Sequence, residues 1–163
     1  MTATAQPSAQ PGQQPTVVLV HGAFADASSW DGVIERLQQQ GCTVVAPANP
    51  LRGVDADSAY LASVVNQLDG PVLLVGHSYG GAVITNAAAT GVVGLVFVAA
   101  FAPDEGERLG DVEASSKDSV LNSALVQRQY PTGQGTETAT ELPSTPPCSA
   151  RRSPPTCPPS RPR

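Results

Sequence analysis

Runs of β-branched and leucine residues alternate along the chain with stretches whose apolar positions recur at helical spacing. TVVLVH (16–21) is an unbroken apolar run of strand length, the pattern of a strand covered on both faces. GAFADASS follows as a loop. Trp30, Val33, Ile34 and Leu37 share one helical face, and Gly41 stands where that helix should stop. CTVVAP (42–47) predicts a second buried strand ended by its proline, with NPLRGVD as the next loop. Asp55 or Asp57 is placed to cap a second helix, whose apolar face is Tyr60, Leu61, Val64, Val65 and Leu68 and which Gly70 ends. PVLLVG (71–76) predicts a third strand, residues 79–90 a helix of small residues, and GLVFVAAF (94–101) a fourth strand. Such alternation predicts an α/β fold, a mostly parallel sheet with helices on both faces. Sheets of this kind bind ligands at the carboxyl ends of their strands, and His21, Ser78 and Asp104 all fall at or just after such ends.

Outside this core the pattern fades. Residues 1–15 are Gln, Pro, Ala and Ser and are expected to be a disordered lead-in. In 108–142, DVEASSKDSVLNSALVQR predicts at most one weak helix and YPTGQGTETATEL reads as loop. Residues 143–163 hold eight prolines and four arginines, a density that neither helix nor sheet tolerates, so a disordered tail is expected.

Composition narrows the partners. Up to residue 142 there are five basic and fourteen acidic residues, which argues against nucleic acid. From Pro143 onward there are four arginines and no acids, a weak signal for an anionic partner. The three cysteines, Cys42, Cys148 and Cys157, fit no metal-ligand spacing, and Cys42 reads as a buried thiol. The first fifteen residues have neither a charged start nor an apolar stretch, and the apolar run near 91–103 is too short for a membrane span. A cytoplasmic protein with no membrane contact is the expectation.

GHSYGG (76–81) carries the chemistry. It follows a strand-type run and precedes a helix-type run, so Ser78 sits on a sharp strand-to-helix turn with Gly76 and Gly80 leaving room for it. A serine there presents its hydroxyl at a helix N-terminus, whose free N–H groups and dipole favour the charge of a tetrahedral intermediate. The bland alternative is a glycine-rich turn with an incidental serine. His21-Gly22-Ala23 ends the first strand and can bring a second N–H near Ser78. The N–H groups of Ala23 and Tyr79 are therefore the candidate oxyanion donors; losing one such donor typically costs about 100- to 1000-fold in rate. His21 is better read as ordering its loop by hydrogen bonding than as a base, and His77 should point away from the neighbouring serine. Asp104 is a candidate acid, although a solvated acidic loop in PDEGE is the better reading of it.

VLVHGAF, PANPLRG, LVGHSYGG and FVAAFAPDEGE together resemble the α/β-hydrolase superfamily, and within it small bacterial esterase-like members similar to the plant methylesterase and hydroxynitrile lyase group. The likeness covers residues 16–107 and implies a partial α/β-hydrolase fold with the C-terminal half missing. It implies Ser78 as nucleophile, Ala23 and Tyr79 as oxyanion donors, a small-molecule ester as substrate and no cofactor. The family places its acid and histidine on loops after two further strands, beyond a helical cap, yet no histidine follows His77 in this chain. Without a base the serine hydroxyl is a weak nucleophile at neutral pH. The resemblance therefore implies a serine hydrolase impaired in this chain, with an inactive fragment or a lyase on the same fold as alternatives.

The break in composition near Glu141 or Leu142 suggests a frameshift, with a natural low-complexity tail as the alternative. Codons can be chosen for Pro143–Pro146 and Ser153–Pro159 whose offset reading resembles family sequence at the start of the cap. A sheet lacking two strands would also leave GLVFVAAF as an exposed edge, open to self-association.

Overall fold

The computed structural model describes residues 13–104, 107–114, 125–133 and 135–141. The disordered lead-in expected for 1–15 lies outside these residues up to position 12, and the tail expected for 143–163 lies outside them entirely. The chain divides into two compact units, residues 1–115 and 116–163.

The first unit is a four-stranded parallel sheet. In chain order its elements are β1 (Thr16–Val20), a 3-10 turn (Ala27–Trp30), α1 (Asp31–Gln39), β2 (Val44–Val45), α2 (Val54–Val65), β3 (Val72–His77), α3 (Tyr79–Asn86), β4 (Val92–Val98) and α4 (Leu109–Ala114). The strand order is β2-β1-β3-β4. Val20 of β1 pairs with Gly76 of β3, and Gly76 with Phe97 of β4, so the carboxyl ends of the three long strands come level.

Helices cover both faces, as the alternation predicts. On one face Trp30, Ile34 and Leu37 pack on Val17, Leu19 and Val75. On the other, Leu61 and Val65 of α2 and Val83 and Ile84 of α3 pack on Val18, Val20, Val72 and Leu74. The β1 run is continuously apolar because both its faces are covered. Helix α1 ends in a Schellman motif. Gly41, at φ 81°, donates to Gln38 O (2.9 Å) and Cys42 donates to Leu37 O (3.0 Å), satisfying carbonyls the helix leaves open.

Several expectations need correction. Cys42 closes this helix end and is only half-buried, so it neither opens a strand nor is a buried thiol; β2 is just Val44–Val45. Val33 and Tyr60 are exposed, because the covered stripe of α1 runs through Ile34 and Leu37 and that of α2 through Asp57, Ser58, Leu61 and Val65. Neither Asp55 nor Asp57 caps α2; Gly53 holds that position without a side-chain cap. Helix α3 stops at Asn86, where Ala87 turns extended, and β4 runs 92–98 rather than 94–101.

In the second unit, β5 (Arg128–Pro131) and β6 (Thr138–Glu141) form an antiparallel hairpin where a loop was expected. Gly133 and Gly135 take positive φ in the connection, and the strands pair Tyr130 with Ala139 and Gln129 with Thr140.

Candidate active site

Ser78 joins β3 to α3 with φ 53° and ψ −122°. A non-glycine residue held in such a region stores about 1–3 kcal/mol of strain. Its carbonyl is fixed from two sides, accepting from Gly81 N–H (3.0 Å) and Phe101 N–H (3.1 Å). The neighbouring glycines are required by close approach. A Cβ on Gly76 would lie 2.6 Å from the Gly80 carbonyl carbon, and one on Gly80 would strike the Val20 carbonyl. The end of β1, the end of β3 and the first turn of α3 therefore cross as bare backbone around Ser78.

The His21–Ala23 segment runs beside the serine, since a Cβ built on Gly22 would sit 2.9 Å from Ser78 Cβ. Ala23 is the next residue on that segment, and Tyr79 is the first residue of α3. Among the described residues, neither the Ala23 N–H nor the Tyr79 N–H has a hydrogen-bond partner. Two unclaimed backbone donors thus flank one strained serine, at the end of the helix where the dipole favours negative charge.

Both rings of the histidine pair are accounted for elsewhere. His21 is 3% exposed. Its Nε2 accepts from Asn49 N–H (3.0 Å) while Nδ1 donates to the Gly22 carbonyl (2.9 Å), which fixes the tautomer and uses both nitrogens. Asn49 Nδ2 also donates to the His21 carbonyl (3.2 Å), so His21 orders its loop. His77 lies edge-on to Trp30, with ring centroids 6.3 Å apart. No hydrogen bond among the described residues joins Ser78 Oγ to either ring. Asp104 is exposed; its N–H donates to the Glu107 carboxylate (3.0 Å), and among the described residues it bonds neither histidine.

Sequence reasoning missed Asn49 and Phe101, and gave Asp57 only a capping role. Asp57 is fully buried on α2. It accepts the Tyr79 hydroxyl at 2.7 Å and Arg52 N–H at 2.9 and 3.2 Å. Burial, then the bond to Asp57 and the acid's charge, push the Tyr79 phenol well above its ordinary range. The signal for Asp57 was its helical phase: it stands four and eight residues before the buried Leu61 and Val65, where an acid requires a buried partner. Asn49 and Phe101 leave no comparable trace, since their bonds depend on tertiary closure. Among the described residues no group of His, Cys, Asp and Glu is arranged to hold a metal.

The sequence model of the Alpha/beta hydrolase family matches residues 17–156. The chain belongs to that family. The match extends beyond the 16–107 over which the resemblance was read from motifs. Among solved structures, an extracellular α/β-hydrolase from a Paenibacillus species, described as sharing structural and functional homology with tobacco salicylic acid binding protein 2, is 30% identical; the alignment covers 60% of this chain and 46% of that one, with a TM-score of 0.55. Polyneuridine aldehyde esterase is 25% identical over 80% of this chain and 58% of its own, with a TM-score of 0.62. Tomato methylketone synthase I, solved with 2-tridecanone, shares the fold at 22% identity, 65% and 50% coverage and a TM-score of 0.52. No curated protein matches the chain. The chain thus spans 46% to 58% of the lengths of these three proteins. No helix among the described residues is long and apolar enough to cross a membrane.

Proposed function

We propose that Ser78 is the nucleophile of a carboxylic-ester hydrolase acting on a small-molecule ester. The observation that carries this reading is the strained Ser78 backbone set between two unclaimed N–H groups, those of Ala23 and Tyr79. Ser78 Oγ attacks the ester carbonyl carbon and its proton passes to a base. The carbonyl π electrons move to oxygen, and the resulting oxyanion accepts from the two N–H groups. Collapse expels the alcohol portion and leaves an acyl-serine, which water hydrolyses to the free acid. The sequence needs no cofactor. Esterase-like neighbours support the substrate class.

The base is the missing part. His21 spends both ring nitrogens on Asn49 and Gly22, and His77 packs against Trp30. These contacts favour a second, narrower reading for these residues taken alone: an acylable serine without turnover.

Hydrolysis of 4-nitrophenyl acetate with and without added imidazole tests the proposal. Alone, the chain is expected to release at most one equivalent of 4-nitrophenolate and to carry acetyl on Ser78. Imidazole, supplying the base from solution, is expected to restore turnover above that of Ser78→Ala. Equal rates in parent and Ser78→Ala under both conditions would contradict the assignment.

A further inference from the structure

Asp57 is 0% exposed, and a carboxyl so buried persists only when hydrogen-bonded. Its two partners lead in opposite directions. Through the Tyr79 hydroxyl (2.7 Å) it holds the side chain of the first residue of α3, whose N–H flanks Ser78. Through Arg52 N–H (2.9 and 3.2 Å) it holds the loop between β2 and α2.

That loop is kept in an unfavourable form. Leu51 has φ 57° and Gly53 has φ 117°, so it needs fastening at both ends. At its far end is Asn49, 9% exposed, which gives its N–H to His21 Nε2 (3.0 Å) and its amide to the His21 carbonyl (3.2 Å). His21 Nδ1 in turn donates to the Gly22 carbonyl (2.9 Å), one residue from the Ala23 N–H. Bonds and a short covalent bridge from Arg52 to Asn49 thus run without a break from Tyr79 to Gly22.

We infer that Asp57 is a positioning residue that sets both N–H donors flanking Ser78 through this one chain, an inference that rests on the oxyanion reading above. A purely structural acid would hold α2 against α3. This one also reaches the β1 loop, through Arg52, Asn49 and His21. Donor placement is a strict requirement, because an error of about 1 Å in such a group costs about 100-fold in rate.

The test uses the full chain and two readouts. One is the backbone amide resonances of Ala23 and Tyr79; the other is the rate at which a 4-nitrophenyl alkylphosphonate labels Ser78. In that reaction the Ser78 Oγ–P bond forms, the P–O bond to 4-nitrophenolate breaks, and the serine proton goes to solvent. Asp57→Ala is expected to shift both amides and slow labelling about 10- to 100-fold. Asp57→Asn, which keeps an acceptor for Arg52 N–H, is expected to recover most of that rate. If Asp57→Ala does not fold, Tyr79→Phe carries the test: it keeps the ring, cuts the tether and is expected to slow labelling several-fold. Folded variants whose Ala23 amide and labelling rate match the parent would overturn the inference. If the amides shift but the parent's Ser78 takes no phosphonate, the tether is supported and the esterase reading fails.

Discussion

At the scale of single residues, Ser78 holds a backbone conformation that its own side chain disfavours. The fold imposes φ 53° on it by clamping its carbonyl between Gly81 and Phe101 and by crossing glycine backbones around it. That cost falls on a half-buried serine at the strand-to-helix turn. Glycine meets the same φ without a Cβ penalty, so Ser78→Gly is expected to raise stability by about 1 kcal/mol in urea unfolding, while Ser78→Ala keeps the strain and leaves the midpoint nearly unchanged. Equal midpoints for the two variants would remove strain from the account. The strained turn at Ser78 with Gly76 and Gly80 was legible in the sequence because each is a local requirement of one turn, and the loop-ordering role of His21 because it directly precedes Gly22 at the end of a strand. The pairings of Asn49 with His21 and of Asp57 with Tyr79 were not, because the partners stand 28 and 22 residues apart; helical phase marks Asp57 as buried but does not name Tyr79.

At the scale of elements, the long apolar runs β1, β3 and β4 and the helices between them were legible from period alone. The hairpin of β5 and β6 was missed, because its glycines and threonines resemble a loop until the strands pair. β4 is one of the sheet's two edges. Leu95 and Phe97 on one face and Val96 and Val98 on the other are each 39–41% exposed, although their sequence is that of an interior strand. An apolar edge with unpaired backbone groups recruits other strands. We therefore expect concentration-dependent self-association in sedimentation velocity, reduced by Val96→Lys, which puts a charge on that edge. Identical sedimentation of parent and variant, both monomeric, would show that the edge is covered.

At the scale of the whole molecule, the carboxyl ends of β1, β3 and β4 come level beside the Ser78 turn on which the proposed ester cleavage rests, and neither histidine is placed to serve it as a base. In the proposed reaction, electrostatic stabilisation and the geometry of Ser78 would come from short-range backbone architecture in the first unit. Base and acid do not, which is why the fold and the serine could be read from motifs while the activity has to be measured. The central claim is that this fold, by itself, makes Ser78 selectively reactive. Intact-mass spectrometry after exposure to a 4-nitrophenyl alkylphosphonate tests it most directly, comparing folded chain, chain in urea and Ser78→Ala. The account predicts slow formation of a single adduct, mapped to Ser78, in the folded chain alone. Adducts of equal extent in urea or in Ser78→Ala, or spread over several side chains, would contradict it.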